Sequence, residues 1–140
     1  MDTRTVWTAI QVAATALGGW IVWFLGGCDS LLYALTAMVA LDYISGVLCA
    51  ISERKLSSSI GMRGIIKKVS VFLLIGVAHI VDGVVGSSGV LRSITIMFFI
   101  SNEGLSLLEN AGRIGVPIPP KLKDILAQLR QRDEDGGDSK

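Results

Sequence analysis

The sequence predicts an all-α integral membrane protein: about four transmembrane helices followed by a short C-terminal amphipathic helix. Two observations carry this. First, 51% of the 140 residues are hydrophobic and only 18% are charged, against about a quarter charged in a soluble domain. Second, the charges are segregated. No Lys or Arg lies between Arg4 and Arg54, or between Lys68 and Arg92, while Arg54, Lys55, Arg63, Lys67 and Lys68 cluster between two apolar runs. In a bilayer this reads as two spans joined by a cytoplasmic basic loop.

Taken in order, Val6–Leu25 is twenty residues without a charge. At about 1.5 Å per residue it covers about 30 Å, one hydrocarbon thickness. Trp7 near one end, and Trp20 and Trp23 near the other, suit the interfacial belts. The run is too long for a signal-peptide h-region of about 7–15 residues, and no small-residue cleavage site ends it. Ala9 and Ala13, like Ala14 and Gly18, give it a small-residue side that another helix could approach. A turn at Gly26–Ser30 leads into a second span, about 31–51. Ser52–Lys68 is expected to be the inside loop, with Gly61 and Gly64 arguing against a long helix and Lys67–Lys68 marking the interface. The third span is expected at about 69–85. Gly86–Gly89 turns the chain into a fourth, about 90–111, so that the transmembrane domain covers 1–112.

That fourth segment is the least typical, because Asn102, Glu103, Ser106, Glu109 and Asn110 give it a polar stripe. A three-span chain with this segment lying in the interface is the main competitor. Gly115, Pro117, Pro119 and Pro120 then break the helix, within a region 113–132 that closes on a short cytoplasmic helix. Leu122, Ile125, Leu126 and Leu129 fall at i, i+3, i+4 and i+7, the apolar stripe of an amphipathic helix flanked by basic residues. The acidic tail 133–140 is expected to be disordered. With four spans, both termini and the basic segment share one side. The two turns on the other side carry no Lys or Arg, which places both termini in the cytoplasm.

The informative chemistry is polar residues inside apolar segments. Asp42 lies eleven residues before Glu53, about 16 Å along a helix. Glu103 lies ten before Arg113, about 15 Å. Both acids are therefore expected near mid-membrane, where each costs about 2.5–3.5 kcal/mol and should face protein or water. Ser45 and Gly46 share the Asp42 face; Asn102 and Ser106 accompany Glu103. These six positions are read as a pore lining or subunit interface, with hydrogen bonding inside one chain, such as Asp42 to Asn102, as the rival. Asp82 and Arg92 flank the hairpin turn as a rim ion pair. His79 shares a face with Asp82 and reads as a hydrogen-bonded packing residue.

The chain lacks a P-loop, a dinucleotide fingerprint, HExxH and GxSxG, so an enzyme is not expected. With one histidine and two separated cysteines, Cys28 and Cys49, neither a metal site nor a cofactor is expected. A net charge of +1 gives no nucleic-acid footprint.

Three motifs resemble one family, the phage-lysis and toxin-secretion holins. Asp42-Tyr43-Ile44-Ser45-Gly46 is similar to its Asp-x-x-Thr/Ser-Gly element. Lys55-Leu56-Ser57-Ser58 with Gly61, Gly64, Lys67 and Lys68 resembles its basic loop. Asn102-Glu103, Ser106, Glu109-Asn110, Gly115, Pro117, Pro119 and Leu122 resemble its C-terminal signature. The resemblance implies a small homo-oligomer of the bacterial cytoplasmic membrane that permeabilises the bilayer to release an endolysin or a protein toxin. Without it, the residues alone reach an oligomeric channel or transporter subunit. A small proton-coupled transporter or accessory subunit using Asp42, His79, Asp82 and Glu103 is the alternative; a scaffold docking a partner through Lys121–Arg132 is a third reading.

Overall fold

The structure, a computed structural model, describes residues 2–135 and, within the last helix, side chains only for 120–125, 127 and 128. Five helices account for almost all of it: α1 Thr3–Phe24, α2 Ser30–Ser52, α3 Ser58–Val85, α4 Val90–Ile114 and α5 Pro120–Asp135. The first four are long and apolar enough to cross a membrane. The protein is thus an all-helical membrane protein with a short C-terminal helix. The polar fourth segment is a full helix of the bundle, packed against both α2 and α3.

The bundle is a three-helix core of α2, α3 and α4, and its seams follow a 3–4 spacing. On α2 the inward positions are Leu32, Leu35, Val39, Asp42, Gly46 and Cys49; on α3 they are Lys68, Val71, Ile75, Ala78 and Asp82. On α4 they are Arg92, Ile96, Phe99, Glu103, Ser106 and Asn110, with Ser101 and Gly104 also buried beside them. A 3.5-residue repeat keeps one face of a helix against its neighbours along its whole length. Reading along these seams gives layers. Leu32, Leu35, Val39, Val71, Ile75 and Ile96 form an apolar layer, with Leu35, Ile75 and Ile96 fully buried. Charged layers lie on either side of it.

The segment 58–68, expected as loop, is the first third of α3. Gly61 and Gly64 do not break it. Glycine in a helix costs only about 1 kcal/mol, and here both positions pack against Tyr43: a Cβ on Gly64 would lie 3.4 Å from its ring and one on Gly61 3.7 Å from its hydroxyl, ordinary contact distances. Helix α5 likewise runs three residues beyond the expected limit, to Asp135, so residues 133–135 are helical and not a disordered tail. The rest of that tail lies outside the described residues.

Helix α1 stands apart, with none of its own residues buried. The small-residue faces Ala9/Ala13 and Ala14/Gly18 are exposed within the protomer, with open space beside Gly18. It is held at its C-terminal end, where the Phe24 ring lies on Gly76 so closely that a Cβ there would come within 2.0 Å. Leu25, just beyond the helix, is buried in the core.

The two turns at this end are locked together by Arg92, which is 5% exposed. Its Nε donates to Leu25 O at 2.6 Å, Nη1 to Asp29 Oδ2 at 2.6 Å and Nη2 to Gly27 O at 3.1 Å. The expected Asp82–Arg92 ion pair is therefore corrected. Asp82 meets Arg92 through the main chain, accepting from the backbone N–H of Leu91 at 3.0 Å and of Arg92 at 2.8 Å, and from the Ser87 hydroxyl. The reason is the start of α4. Gly89 has no side chain to cap the helix, so Asp82 satisfies its orphan amides from across the turn. The guanidinium, one turn before Ile96, reaches the α1–α2 turn. Asp29 also caps α2 through Leu32 N–H at 2.9 Å. The Arg92 hydrogen bond, with this cap, holds the Asp29 carboxyl below its ordinary value of 3.8.

Replacing Arg92 by Met is expected to lower bundle stability by about 2 kcal/mol, reduced from the buried-pair range because half of the Asp29 side chain is solvated. The Asp29 share is complete above its ordinary pKa and is lost as pH falls through the lowered folded value. The gap in thermal midpoint between wild type and Arg92→Met in detergent should therefore narrow in acid. A gap that is absent at neutral pH would refute the clasp.

Candidate functional site

On the other side of the apolar layer, α2, α3 and α4 each deliver a charge to one place. Asp42 on α2 and Glu103 on α4 are 7% and 8% exposed. Between them stands Lys68 of α3, whose ammonium donates to Asp42 Oδ2 and to Glu103 Oε2. Asn110, two turns along α4 from Glu103, donates to Asp42 Oδ1 at 3.2 Å and to Ser45 Oγ at 3.0 Å. Ser45 donates in turn to the Asp42 carbonyl at 2.9 Å. Among the described residues, no buried side-chain polar atom lacks a partner. That is what a low-dielectric interior demands of polar groups.

The helices explain the convergence. Asp42 follows Leu35 and Val39 on the α2 seam, Lys68 precedes Val71 and Ile75 on the α3 seam, and Glu103 follows Ile96 and Phe99 on the α4 seam. Each charged residue is the inward position next to an apolar one. A single extended ammonium can serve two carboxylates because it carries three donors.

The expected site residues fall into two sets. Asp42, Ser45 and Glu103 meet in this layer; Gly46 and Ser106 line a cleft beside it, and a Cβ on Gly46 would lie 3.6 Å from Asn110 Nδ2. Asn102 is half-buried, and the amide that reaches Asp42 belongs to Asn110 instead. Lys68 is the residue that the sequence reading misplaced. It belongs to this layer and not to an interfacial loop, because α3 begins at Ser58, eleven residues before the apolar run opens at Val69.

The other basic residues stay at the rim. Arg54, in the left-handed conformation at φ 56°, and Lys55 form the α2–α3 turn. Arg63 and Lys67 are exposed on α3. Arg113, at the end of α4, grips Glu53 with two hydrogen bonds of 3.0 and 2.8 Å, and Lys55 adds a contact at 3.6 Å. The Arg113 hydrogen bonds hold the Glu53 carboxyl below its ordinary range. The cleft between this rim and the charged layer has a volume of about 460 Å³. On α5, Leu122 and Ile125 are exposed; the Leu126 and Leu129 side chains lie outside the described residues.

His79 and Asp82 are on the far side of the apolar layer, so the four titratable groups of a proton path are not brought together. His79 lies instead against the Arg92 clasp, where a Cβ on Gly26 would meet its Nδ1 at 2.7 Å.

A model of the bacteriophage holin family matches residues 19–131, which include the whole α2–α4 bundle. A probable holin of Bacillus phage phi105 is 40% identical over 86 residues, covering 61% of this chain and 64% of that protein. An uncharacterised 14.9 kDa protein of Clostridium perfringens is 37% identical over 124 residues, 88% of this chain and 94% of its own length. A Listeria innocua protein is 32% identical over 117 residues, 84% of each. No solved structure matches the chain.

The charge layer makes a specific prediction. Lys68→Met leaves two carboxylates without their shared cation and should destabilise the bundle by about 3–5 kcal/mol. Adding Asp42→Asn and Glu103→Gln to the same chain removes the uncompensated charge and should restore most of that loss. Thermal denaturation in detergent checks both. A triple variant no more stable than Lys68→Met would mean that charge balance is not what holds these helices together.

Proposed function

This chain belongs to the bacteriophage holin family, and on that premise we propose that it homo-oligomerises in the bacterial cytoplasmic membrane and permeabilises it to release an endolysin or a protein toxin. The observation that carries this reading is the layer formed by Asp42, Lys68 and Glu103 in a bundle of only three packed helices. A single protomer keeps those charges inside by pairing them, which makes it an inserted, non-leaking unit. Turned toward a shared axis in an assembly, the same groups, with Ser106 and Asn102 beside them, supply a wettable wall. The unburied α1, with its small-residue faces, offers a surface for contacts between protomers that the protomer itself does not use.

The transporter reading fares worse. A relay joining Asp82 and His79 to Asp42 and Glu103 has to cross Leu35, Ile75 and Ile96, each 0% exposed. None of those side chains can carry a proton. The positive-inside rule supports an orientation with both termini cytoplasmic, since the basic residues gather at the α2–α3 turn and the α1–α2 and α3–α4 turns have none.

Two experiments test this. Induction of the chain in a bacterial host should end in abrupt loss of membrane potential. With a cytoplasmic muralytic enzyme co-expressed, the culture should lyse; continued growth, or saturable solute flux across an intact membrane, would overturn the proposal. For orientation, in a background lacking Cys28 and Cys49, Ser88→Cys should react with an impermeant thiol reagent in intact cells and Ser58→Cys should not. Labelling of Ser58→Cys alone, or of both, would reject the topology.

A further inference from the structure

The cleft at the basic end does more than mark orientation. Its walls come from α2, α3 and α4, and five basic residues line it against two acidic ones. Both acids are already committed: Asp42 to Lys68 and Asn110, Glu53 to Arg113. Among the described residues, Arg63 and Lys67 form no ion pair, so the cleft keeps uncompensated positive charge. Beside them stand apolar side chains, Leu56 and Ile60, 57% and 52% exposed, and Tyr43 closes the wall over Gly61 and Gly64.

The height of the cleft follows from helix length. Helix α3 has 28 residues and is about 42 Å long, some 12 Å more than a hydrocarbon core of about 30 Å. The excess lies at its N-terminal end, because the apolar run opens only at Val69. Arg63, and the cations around it, therefore sit at the level of lipid headgroups.

We infer that this cleft between α2, α3 and α4 binds the phosphate headgroup of an anionic glycerophospholipid, with Arg63 and Lys67 on the phosphate and the acyl chains running past the cleft into the bilayer. The inference places the cleft in the inner leaflet and so rests on the orientation proposed above. Cationic clefts between transmembrane helices at that level suit anionic lipids on charge alone; the depth favours a lipid over a soluble anion.

The test uses the full chain, purified in a neutral detergent, with phosphatidylglycerol or phosphatidylcholine of the same acyl chains titrated and bound lipid counted by native mass spectrometry. Phosphatidylglycerol should be retained preferentially. Arg63→Gln with Lys67→Gln should weaken that retention about thirtyfold, from about fivefold for each cation. Arg4→Gln with Lys121→Gln, exposed cations outside the cleft, should leave it unchanged, and Arg63→Lys with Lys67→Arg should retain it. Equal retention of the two lipids, or equal loss in both Gln pairs, would overturn the site. Displacement of the lipid by millimolar inorganic phosphate would assign the cleft to a free anion and overturn the lipid. Lysis is not read, so failure here is distinct from failure of the proposed function.

Discussion

A charge cannot be left alone in a hydrocarbon layer, and this fold is arranged around that constraint. Asp42 and Glu103 would each oppose insertion by a few kcal/mol on their own. Lys68 turns them into one compact network by contributing a single cation to both. The pairing needs three helices at once, which is why α2, α3 and α4 form the core while α1 does not. It also fixes register. A one-residue rotation of any seam would carry its charged member out to lipid, whereas an apolar seam of Leu and Ile would tolerate such slips far better.

The same logic is repeated at the two-turn end with different chemistry. Arg92 is as buried as the carboxylates, but it is satisfied by two backbone carbonyls and a half-solvated Asp29. A guanidinium suits this role because its planar fork can bond several acceptors that no single carboxylate presents. Asp82, in turn, neutralises no side chain; it completes the backbone hydrogen bonding at the start of α4. With a clasp at one end, an apolar layer next, and a charged layer beyond it, each turn of the bundle is held by a different kind of interaction.

Much of this was legible in the sequence, and the misses share one cause. The all-helical class, with four long apolar helices and a short C-terminal one, could be read from hydropathy and spacing. Lys68 could not be placed that way. Hydropathy averages around a helix, so Lys67 and Lys68 look alike at the edge of an apolar run. The distinguishing signal was the seam: Lys68 stands three and seven residues before Val71 and Ile75, both buried, whereas Lys67 is off that stripe. Gly61 and Gly64 misled for a related reason. Their cost to a helix is visible in sequence, and the Tyr43 ring packed against them is a tertiary fact. The Asp82–Arg92 assignment erred because proximity across a turn fixes which residues meet, while the helix start decides whether they meet through side chain or backbone.

Internal pairing of charge bears on how such a bundle could serve an assembly. An ion network that is fully satisfied in one protomer imposes no requirement for a partner, so a protomer can insert and persist alone. Its lipid-facing surface is apolar, and lipid tails are as apolar as that surface, so hydrophobicity gives neighbouring copies little reason to associate. What remains for contact is shape, through the unburied α1, and the polar groups of the layer. The paired state and a wet state of Asp42, Lys68 and Glu103 differ in whether water or protein solvates them. Rearranging three side chains that already share their partners costs less than bringing separate charges into the membrane. A polar layer kept closed by its own lysine is thus compatible with both a silent monomer and a hydrated assembly, which a bundle lined only by leucine could not be.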